Sequence, residues 1–514
     1  MLFRTVSQLS ELPGTARSAA YLIADSWDDW FKFNTLYSLV VFDAQGDRHE
    51  VGGVKIGQFG MAEMQRRPDL PVEFETLTDA CFSLGQDDSY YGTLNGLGPE
   101  LRDDVLRSLR DVALDLDLFA RALPEKVTGF SLLRSVTRAS VRGQFHRLAR
   151  GGSRLSRYHF SYTAPGSAAP LSLSFKVEPE SNPPTNVHVL IGRNGVGKTT
   201  FLNRIARAVV EEGRSIDEVG TVSLLSDPSE ATPFANLVSV TFSAFDPFDP
   251  LPPQEDRSTG VQYGYIGLKR PADTPNLAQG PKDLNELTTE FVQSVGVCRK
   301  GARLVRWRRA LDVLESDPLF ADAQVAMLAT MTWDAAVRVR ARELFGALSS
   351  GHKIVLLTIT RLVEAVEERT LVLFDEPEAH LHPPLLAAFA RALSDLLIDR
   401  NGVAIVATHS PVMLQEVPKS CAWKIRRSGA KVVAERPEIE SFGENVGVLT
   451  REVFGLEVTH SGFHQLLQDN VDRDSSFEQV VARFEGQLGG EARAILRALI
   501  AERDSQERDD EGGA

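Results

Sequence analysis

A glycine-rich segment at residues 192–199 constrains the fold of this chain more than any other feature. It reads Gly-Arg-Asn-Gly-Val-Gly-Lys-Thr and matches the pattern G-x-x-x-x-G-K-[ST]. The run Val187–Ile191 before it is typical of a buried parallel strand, and a helix is predicted after it, from Lys198 to Val210. Because glycines let backbone N–H groups turn towards phosphate oxygens, this strand–loop–helix order predicts a phosphate-binding loop in an α/β fold.

The residue types within this loop predict a nucleotide site that uses Mg²⁺. Lys198 is expected to reach the β- and γ-phosphates, and the hydroxyl of Thr199 is expected to ligate the metal ion. The N-terminus of the following helix directs its dipole at the same phosphates. ATP and Mg²⁺ are therefore the expected ligand and cofactor. The predicted nucleotide-binding residues are Gly192, Arg193, Asn194, Gly195, Val196, Gly197, Lys198, Thr199 and Thr200.

Two further strands are predicted to end beside this loop. The apolar run Thr370–Phe374 leads into Asp375, a carboxylate placed to hold Mg²⁺ through water, and into Glu376, which can polarise an attacking water. The run Gly402–Thr408 delivers His409 to the carboxyl edge of the sheet, where its imidazole can contact the γ-phosphate. A strand that ends in solvated acids is the alternative for the first pair. The predicted catalytic residues are Glu376, His409 and Lys198.

A second candidate anion site precedes the predicted helix Ile354–Val366. Its residues are Ser349, Ser350, Gly351 and His352. A serine and a glycine at a helix N-terminus offer a hydroxyl and backbone donors, although a segment of this kind can equally be only a helix cap. In its position after the phosphate-binding loop and before Asp375, the segment resembles the Leu-Ser-Gly-Gly-Gln signature of ABC-type ATPases. That resemblance implies a head-to-tail homodimer in which the signature of one copy closes on the ATP of the other.

The segment Asp375–Pro383 reads Asp-Glu-Pro-Glu-Ala-His-Leu-His-Pro and is similar to the OLD/RecF-like branch of the same ATPases. In the family, the loop after the catalytic glutamate faces the partner subunit. The resemblance therefore implies that Glu378, His380 and His382 lie at the dimer seam. A metal site on His380 and His382 is the alternative, but two histidines do not specify one.

The family's glutamine loop has no counterpart in this sequence. It should follow the predicted strand Leu237–Phe242, where residues 243–249 read Ser-Ala-Phe-Asp-Pro-Phe-Asp. A serine, Asp246 or water is expected to take its place. The Mg²⁺ shell is the part of the resemblance that this departure affects.

The expected fold is an α/β ABC-type P-loop ATPase head, with a mostly parallel sheet flanked by helices. Residues 156–430 form the predicted ATPase core, with a short helical lid at about 270–345, and residues 1–155 form an N-terminal α+β unit. Within that unit, Thr35–Asp43 and Glu50–Ile56 are predicted to pair as a hairpin. Residues 431–501 are expected to be helical, and residues 502–514 a charged, disordered tail.

Composition limits the partners. A net charge of −14 over 514 residues disfavours diffuse binding to nucleic acid. A local basic run in the lid leaves DNA open as a partner, against the alternative of a solvated helix face. Its candidate contacts are Arg303, Arg306, Arg308 and Arg309. Three widely spaced cysteines and the lack of a long apolar run predict a cytoplasmic protein without a disulfide framework or a membrane segment.

Three functions remain open from the sequence. The layout resembles ATPases such as PtuA of the Septu anti-phage defence system, which work with a separate HNH-type nuclease. That likeness implies an ATPase that regulates a separate effector, a nuclease, in anti-phage defence. Asp472 and Asp474 have the spacing of a nuclease acidic pair but are predicted to lie in a solvated turn. The alternatives are a RecF-like DNA-repair ATPase and a slowly hydrolysing scaffold that senses ATP.

Overall fold

The computed structural model describes the chain apart from several short segments. These segments are residues 26–32, 62–64, 153–154, 167–169, 212–213, 226–233, 244–247, 253–260, 271–279, 300–301, 430, 456–461, 473–474 and 512–514.

The strands are numbered in chain order. They are β1 Leu2–Val6, β2 Ala19–Ala24, β3 Leu36–Phe42, β4 Arg48–Gln58, β5 Glu73–Phe74, β6 Cys81–Gly85, β7 Tyr158–Thr163, β8 Ser172–Val177, β9 Val187–Ile191, β10 Thr221–Leu224, β11 Asn236–Thr241, β12 Gln262–Gly267, β13 Thr370–Asp375, β14 Val403–Thr408, β15 Ala422–Ser428 and β16 Lys431–Glu435.

The α-helices are numbered in the same way. They are α1 Asp88–Gly96, α2 Pro99–Ser108, α3 Leu116–Ala122, α4 Arg138–Ser140, α5 His146–Ala149, α6 Lys198–Val210, α7 Ile216–Val219, α8 Leu284–Cys298, α9 Ala302–Leu314, α10 Pro318–Ala323, α11 Met327–Thr330, α12 Ala335–Ala347, α13 Ser350–Ala365, α14 Pro383–Asp399, α15 Pro411–Gln415, α16 Val446–Phe454, α17 Phe463–Asp469, α18 Phe477–Arg483 and α19 Gly490–Glu511.

A seven-stranded sheet in the order β12-β11-β13-β14-β9-β15-β16 forms the centre of the ATPase part. All neighbouring strands in it are parallel except β15 and β16. Every residue of β9, β13 and β14 is buried, as expected for strands covered on both faces. One face packs on the lid helices and α14, and the other on α6 and a three-stranded antiparallel sheet, β10-β7-β8. The predicted α/β fold is confirmed.

The N-terminal part has its own six-stranded sheet, in the order β5-β1-β2-β3-β4-β6, and its own hydrophobic core. The predicted hairpin is confirmed, because β3 and β4 pair antiparallel with Leu36 opposite Lys55. Buried ion pairs join this part to the ATPase part. Arg400 donates to Asp88 at 2.7 Å, with side chains 10% and 3% exposed.

The lid region is helical, as predicted, and its helices α8 to α12 precede the signature segment. The helix that follows begins earlier than the sequence suggested. It starts at Ser350 rather than at Ile354, because Ser349 adopts the extended backbone of an N-cap and its side chain accepts a hydrogen bond from the His352 N–H. The last three signature residues, Ser350, Gly351 and His352, therefore lie in the first helical turn.

The C-terminal region differs from the prediction at both of its ends. Strand β16 lies beyond the predicted boundary at residue 430 and extends the core sheet by pairing with β15. The tail prediction is wrong for residues 502–511, since α19 runs without a break to Glu511. Leu496 of this helix is buried, and once a helix is formed each added residue costs little. Among the described residues, no helix is long and apolar enough to span a membrane.

Candidate nucleotide site

The phosphate-binding loop follows β9 and turns into α6 at Gly197. Gly195 and Gly197 have φ values of 78° and 102°, a left-handed region that favours glycine. The Lys198 side chain crosses the mouth of the loop and donates from Nζ to the carbonyl oxygens of Gly192 at 2.9 Å and Arg193 at 3.0 Å. The ammonium is thus held where a bound phosphate would replace these carbonyls as its partner.

Strand register brings the predicted catalytic residues to this loop. Ile191, the last residue of β9, lies opposite Thr408 of β14, and Ala407 lies opposite Asp375 of β13. Three parallel strands therefore end at the same level, one in the phosphate-binding loop, one in His409 and one in Glu376. This edge of the sheet is where ligands bind in open α/β folds.

The electrostatics of Lys198 agree with this placement. Burial lowers the pKa of the Lys198 ammonium, and the nearby carboxylates of Glu376, Asp375 and Glu378 act in the opposite direction and raise it. A lysine that interacts with three acidic groups stays charged in its partly buried position. Before any phosphate arrives, the ammonium therefore interacts with the acidic groups of the site.

Thr199 and Asp375 line one cleft beside the loop. A hydroxyl and a carboxylate that share a cleft fit Mg²⁺, which prefers oxygen ligands and keeps several waters. Asp249 lines the same cleft and lies 3.6 Å from Lys269. Asp249 was not predicted from the sequence as a neighbour of the metal site. It follows Pro247 and Phe248 and does not come directly after a predicted strand. Asp246, the predicted substitute for the glutamine, lies outside the described residues.

Glu376 has an unusual backbone. Its φ of 46° and ψ of 60° place a non-glycine residue in the left-handed region, at the start of the short 3₁₀ turn Pro377–His380. Such a conformation costs about 1–3 kcal/mol and is concentrated at functional sites. Its backbone N–H donates to the Ala407 carbonyl at 2.9 Å, which ties the turn to β14. The strained turn aims the carboxylate out of the strand end, with the side chain 32% exposed.

Glu378 makes contacts within its own subunit, whereas the resemblance predicts that it lies at the dimer seam. Its Oε1 accepts from the Thr408 hydroxyl at 2.6 Å and from the His409 backbone N–H at 2.6 Å, and it lies 3.0 Å from His409 Nδ1. The side chain is only 8% exposed. The seam position stays a prediction for this residue, whose carboxylate also holds the end of β14 in its own subunit. His380 stays exposed, consistent with a position at the seam.

The signature segment is divided between surface and interior. Ser349 and Ser350 are exposed, whereas Gly351 and His352 are buried. A Cβ on Gly351 would lie 2.4 Å from the His380 carbonyl oxygen, so this glycine allows α13 to pack on the turn after Glu376. The role of His352 as a group that reaches a partner's ATP is corrected, because its side chain is 4% exposed and faces inward.

His382 contacts Leu385 and Asp317, and the contact with Asp317 was not predicted from the sequence. Its Nδ1 accepts from the Leu385 N–H at 3.3 Å, and its Nε2 lies 3.7 Å from Oδ2 of Asp317, which also contacts His352. Candidate metal-ligand atoms of Asp317, His352 and His382 lie within 4.8 Å of one another, and His380 is not among them. The pairing of His380 with His382 as a metal site is therefore not what the fold assembles.

The predicted basic patch of the lid is smaller than the sequence suggested. Arg306 is buried and lies 4.0 Å from Asp87, and burial lowers its pKa to about 10. Arg309 lies 3.8 Å from Asp399. The aromatic residue among these arginines, Trp307, is fully buried and donates to Thr360. Arg303 and the exposed Arg308 and Arg309 are what remain of the predicted nucleic-acid contact.

The sheet order, the phosphate-binding loop and the strand end at Asp375 and Glu376 define a P-loop ATPase domain of the ABC/AAA type. Residues 298–414 match the family described as "AAA domain, putative AbiEii toxin, Type IV TA system". The chain is also 42% identical over 524 residues to Protein ea59 of Escherichia phage lambda, with 98% of each chain covered. It belongs to the family of this phage protein.

Solved structures of ABC proteins also align with the chain. One shows an inward-facing conformation of a putative metal-chelate type ABC transporter, at 15% identity and a TM-score of 0.30 over 58% of this chain and 88% of that one. Another is the ADP conformation of MJ1267, an ATP-binding cassette of an ABC transporter, at 14% identity and a TM-score of 0.26 over 51% and 85% of the two chains.

Proposed function

We propose that this protein is a Mg²⁺-dependent ATPase that forms a head-to-tail homodimer around two ATP molecules. The observation that carries the proposal is the alignment of three strand ends, which puts the phosphate-binding loop, Glu376 and His409 at one edge of the sheet. Each of these groups has a distinct task in phosphoryl transfer to water.

The reaction follows from the residues at this edge. A water attacks the γ-phosphorus, the bond to the β,γ-bridging oxygen breaks, and ADP and phosphate leave. Glu376 accepts the proton of the attacking water, while Lys198 balances negative charge on the β- and γ-phosphates. His409, whose backbone N–H donates to Glu378, is oriented towards the γ-phosphate. Thr199 and Asp375 would hold Mg²⁺, which neutralises charge on the phosphate oxygens when bound.

The dimer completes the site. Ser349 and Ser350 are exposed at the N-terminus of α13, a 16-residue helix whose dipole favours an anion. In the proposed dimer, this surface of one copy faces the γ-phosphate bound by the other. Hydrolysis removes the shared phosphate and lets the two copies separate.

The variant Glu376→Gln tests this proposal. It should bind ATP and accumulate as a dimer in native mass measurements, with single-turnover hydrolysis slowed about 10²–10⁴-fold by loss of the general base. Lys198→Ala serves as the control that should fail to dimerise because nucleotide is not held. If the wild-type protein binds ATP but Glu376→Gln changes neither turnover nor mass, the protein is an ATP-sensing scaffold instead.

We further propose that the ATPase cycle regulates a separate effector, with an HNH-type nuclease in anti-phage defence as the candidate. The N-terminal part supports a regulatory role, because its ion pairs contact the starts of the catalytic strands. Arg147 donates to Glu368, just before β13, at 2.6 Å, and Asp88 accepts from Arg400, just before β14. A change at the catalytic residues that follow β13 and β14 can thereby pass along these two strands to a partner bound to the N-terminal part.

Native mass of the tagged protein, co-expressed with the products of neighbouring genes, tests for an effector. A complex with a nuclease that forms or dissociates with ATP supports the proposal. A bare ATP-dependent dimer whose hydrolysis is stimulated by DNA, and whose stimulation falls steeply with salt, would favour the RecF-like alternative.

A further inference from the structure

Ser349 belongs to a chain of three polar side chains that leads from the surface into the lid. Its Oγ lies 2.6 Å from Nδ1 of His352. The other ring nitrogen of that histidine, Nε2, lies 3.0 Å from Oδ1 of Asp317, and these two side chains are 4% and 6% exposed. A surface serine is thus connected through a buried imidazole to a buried carboxylate.

The inner end of the chain is held firmly. Asp317 is the N-cap of α10, and its Oδ1 accepts from the backbone N–H groups of Leu319 at 2.9 Å and Phe320 at 3.4 Å. The Phe320 ring packs edge-on against the His352 ring, with centroids 4.9 Å apart. The carboxylate and the imidazole therefore have fixed positions, and the hydroxyl hydrogen of Ser349 is the part that can still rotate.

The hydrogen positions follow from what each group can donate. An ionised carboxylate only accepts, so Nε2 of His352 carries a hydrogen. In a neutral imidazole the second nitrogen then has none, and Nδ1 must accept the hydroxyl hydrogen of Ser349. In that state Ser349 cannot donate to an external anion. When His352 gains a proton, Nδ1 becomes a donor to Ser349, and the hydroxyl hydrogen is released towards solvent.

We propose that Asp317 and His352 are positioning residues that determine whether Ser349 donates a hydrogen bond to the γ-phosphate held by a second copy of the chain. This inference rests on the proposed head-to-tail dimer. Because phosphate binding requires the protonated imidazole, dimerisation takes up a proton and becomes weaker as pH rises.

His382 is a further titratable group that faces the three side chains, through Asp317. Its Nδ1 accepts from the Leu385 N–H, so its Nε2 carries the hydrogen and points it at Oδ2 of Asp317, 3.7 Å away. The carboxylate therefore lies between two imidazoles, one on α13 and one at the start of α14. The same hydrogen on Nε2 disfavours a metal ion among Asp317, His352 and His382, since a ligating nitrogen must be unprotonated.

Dimerisation of the Glu376→Gln protein with Mg²⁺ and ATP tests the inference between about pH 5.5 and 8.5, a range that includes the charge change of most histidines. We expect the dimer dissociation constant to rise about tenfold or more across this range, since a hydrogen bond to a charged group is lost. Adding Asp317→Asn should shift this rise to lower pH. The amide Oδ1 can still cap α10 and accept from Nε2–H of His352, but the side chain carries no charge to stabilise the protonated imidazole.

Three further variants in the Glu376→Gln background complete the design. His352→Gln cannot gain a proton at this position, so it should dimerise without the pH dependence that the hydrogen-bonded side chains cause. Ser349→Ala should dimerise weakly at every pH. Gly346→Ala, at an open and exposed position of α12 outside the proposed phosphate-binding surface, should keep the full pH dependence.

The outcomes separate this inference from the proposed function. An ATP-dependent dimer whose pH dependence is unchanged in Asp317→Asn and His352→Gln overturns the positioning role and leaves the dimer intact. No ATP-dependent dimer at any pH overturns the proposed function as well. A dimer that strengthens with Zn²⁺ and weakens with a zinc-selective chelator, but not in His382→Ala, identifies a metal site and overturns the hydrogen-bond chain.

Discussion

The Oε1 atom of Glu378 lies 2.6 Å from the backbone nitrogen of His409 and 3.0 Å from its Nδ1. One carboxylate oxygen thus accepts from the backbone of the histidine at the end of β14 and lies beside its ring. His409 Nδ1 lies 3.9 Å from Glu376, so the two glutamates bracket one side of the imidazole. Glu378 can therefore affect catalysis by positioning His409, without contacting the phosphate itself.

Glu378→Gln should lower kcat for ATP hydrolysis about 10–100-fold and leave KM for ATP within about threefold, because a buried charge-assisted hydrogen bond contributes about 1.5–3 kcal/mol. The loss falls on kcat because His409 is misoriented, whereas the phosphate-binding loop is unchanged. Steady-state kinetics and a nucleotide-binding titration check the two parameters. His380→Gln, in the same turn but exposed, is the control. Equal losses in both variants would show that the turn tolerates no change.

Gly351→Ala should lower the free energy of unfolding by about 1–3 kcal/mol, the usual cost of overpacking. The added Cβ would lie 2.4 Å from the His380 carbonyl oxygen, and a backbone atom cannot move aside as a flexible side chain can. Gly346→Ala is the matched control. It lies in α12 with nothing within 4 Å of its Cβ, and should stabilise the protein by about 0.5–1 kcal/mol. Urea unfolding measures both variants, and equal stability of the two would contradict the predicted close contact.

The parts of the site that were predictable from the sequence are local. The loop at residues 192–199, the strand before it and the helix Lys198–Val210 are contiguous, so their order alone specifies a turn that presents N–H groups to phosphate. The placement of His409 was also accessible, because the carboxyl ends of parallel strands meet at one edge. Each of these inferences needed only the local sequence and the edge of the sheet at which a parallel strand ends.

The parts that were not predictable depend on contacts between distant residues. Asp317 lies 35 positions before His352, and only the packing of α10 against α13 brings them together. Glu378 is 30 positions from Thr408, and a family likeness predicted only its position at the seam. Arg306 looked like a surface charge, but α9 turns it towards Asp87. A helical period predicts which residues share a face, not which charges a neighbouring element offers.

Asp88→Asn should destabilise the protein by about 3–5 kcal/mol, because it leaves the buried Arg400 guanidinium without its carboxylate partner. Burial lowers the pKa of Arg400, but the combined attraction of Asp88, Asp87 and Glu367 raises it overall, so this cation does not lose its proton to relieve the cost. The control is Glu50→Gln, which breaks an exposed pair with Arg48 at 2.7 Å and should cost under about 1 kcal/mol. Thermal unfolding separates the two, and similar melting temperatures for both variants would argue against a buried interface.

Asp111 should make the stability of the N-terminal part depend on pH. Burial is the main cause that raises the pKa of its carboxyl from 3.8 to about 6, against hydrogen bonds from Leu114, Tyr91 and Ala113. The folded protein therefore binds a proton at Asp111 in a pH range where the unfolded chain does not. Under linkage, this contribution favours folding at low pH and is lost as pH rises from about 4 to 6.

Asp111→Asn removes this titration while keeping a side chain of similar shape. The free energy of unfolding of the wild type, relative to that of the variant, should fall by about 3 kcal/mol in total as pH rises from about 3 to 7, most of it between about pH 4 and 6, and stay level above about pH 7. Urea unfolding of both proteins at each pH gives this difference directly, and other titrating groups cancel because both chains share them. A difference that stays level or rises across this interval would mean that Asp111 is ionised in the folded protein without cost.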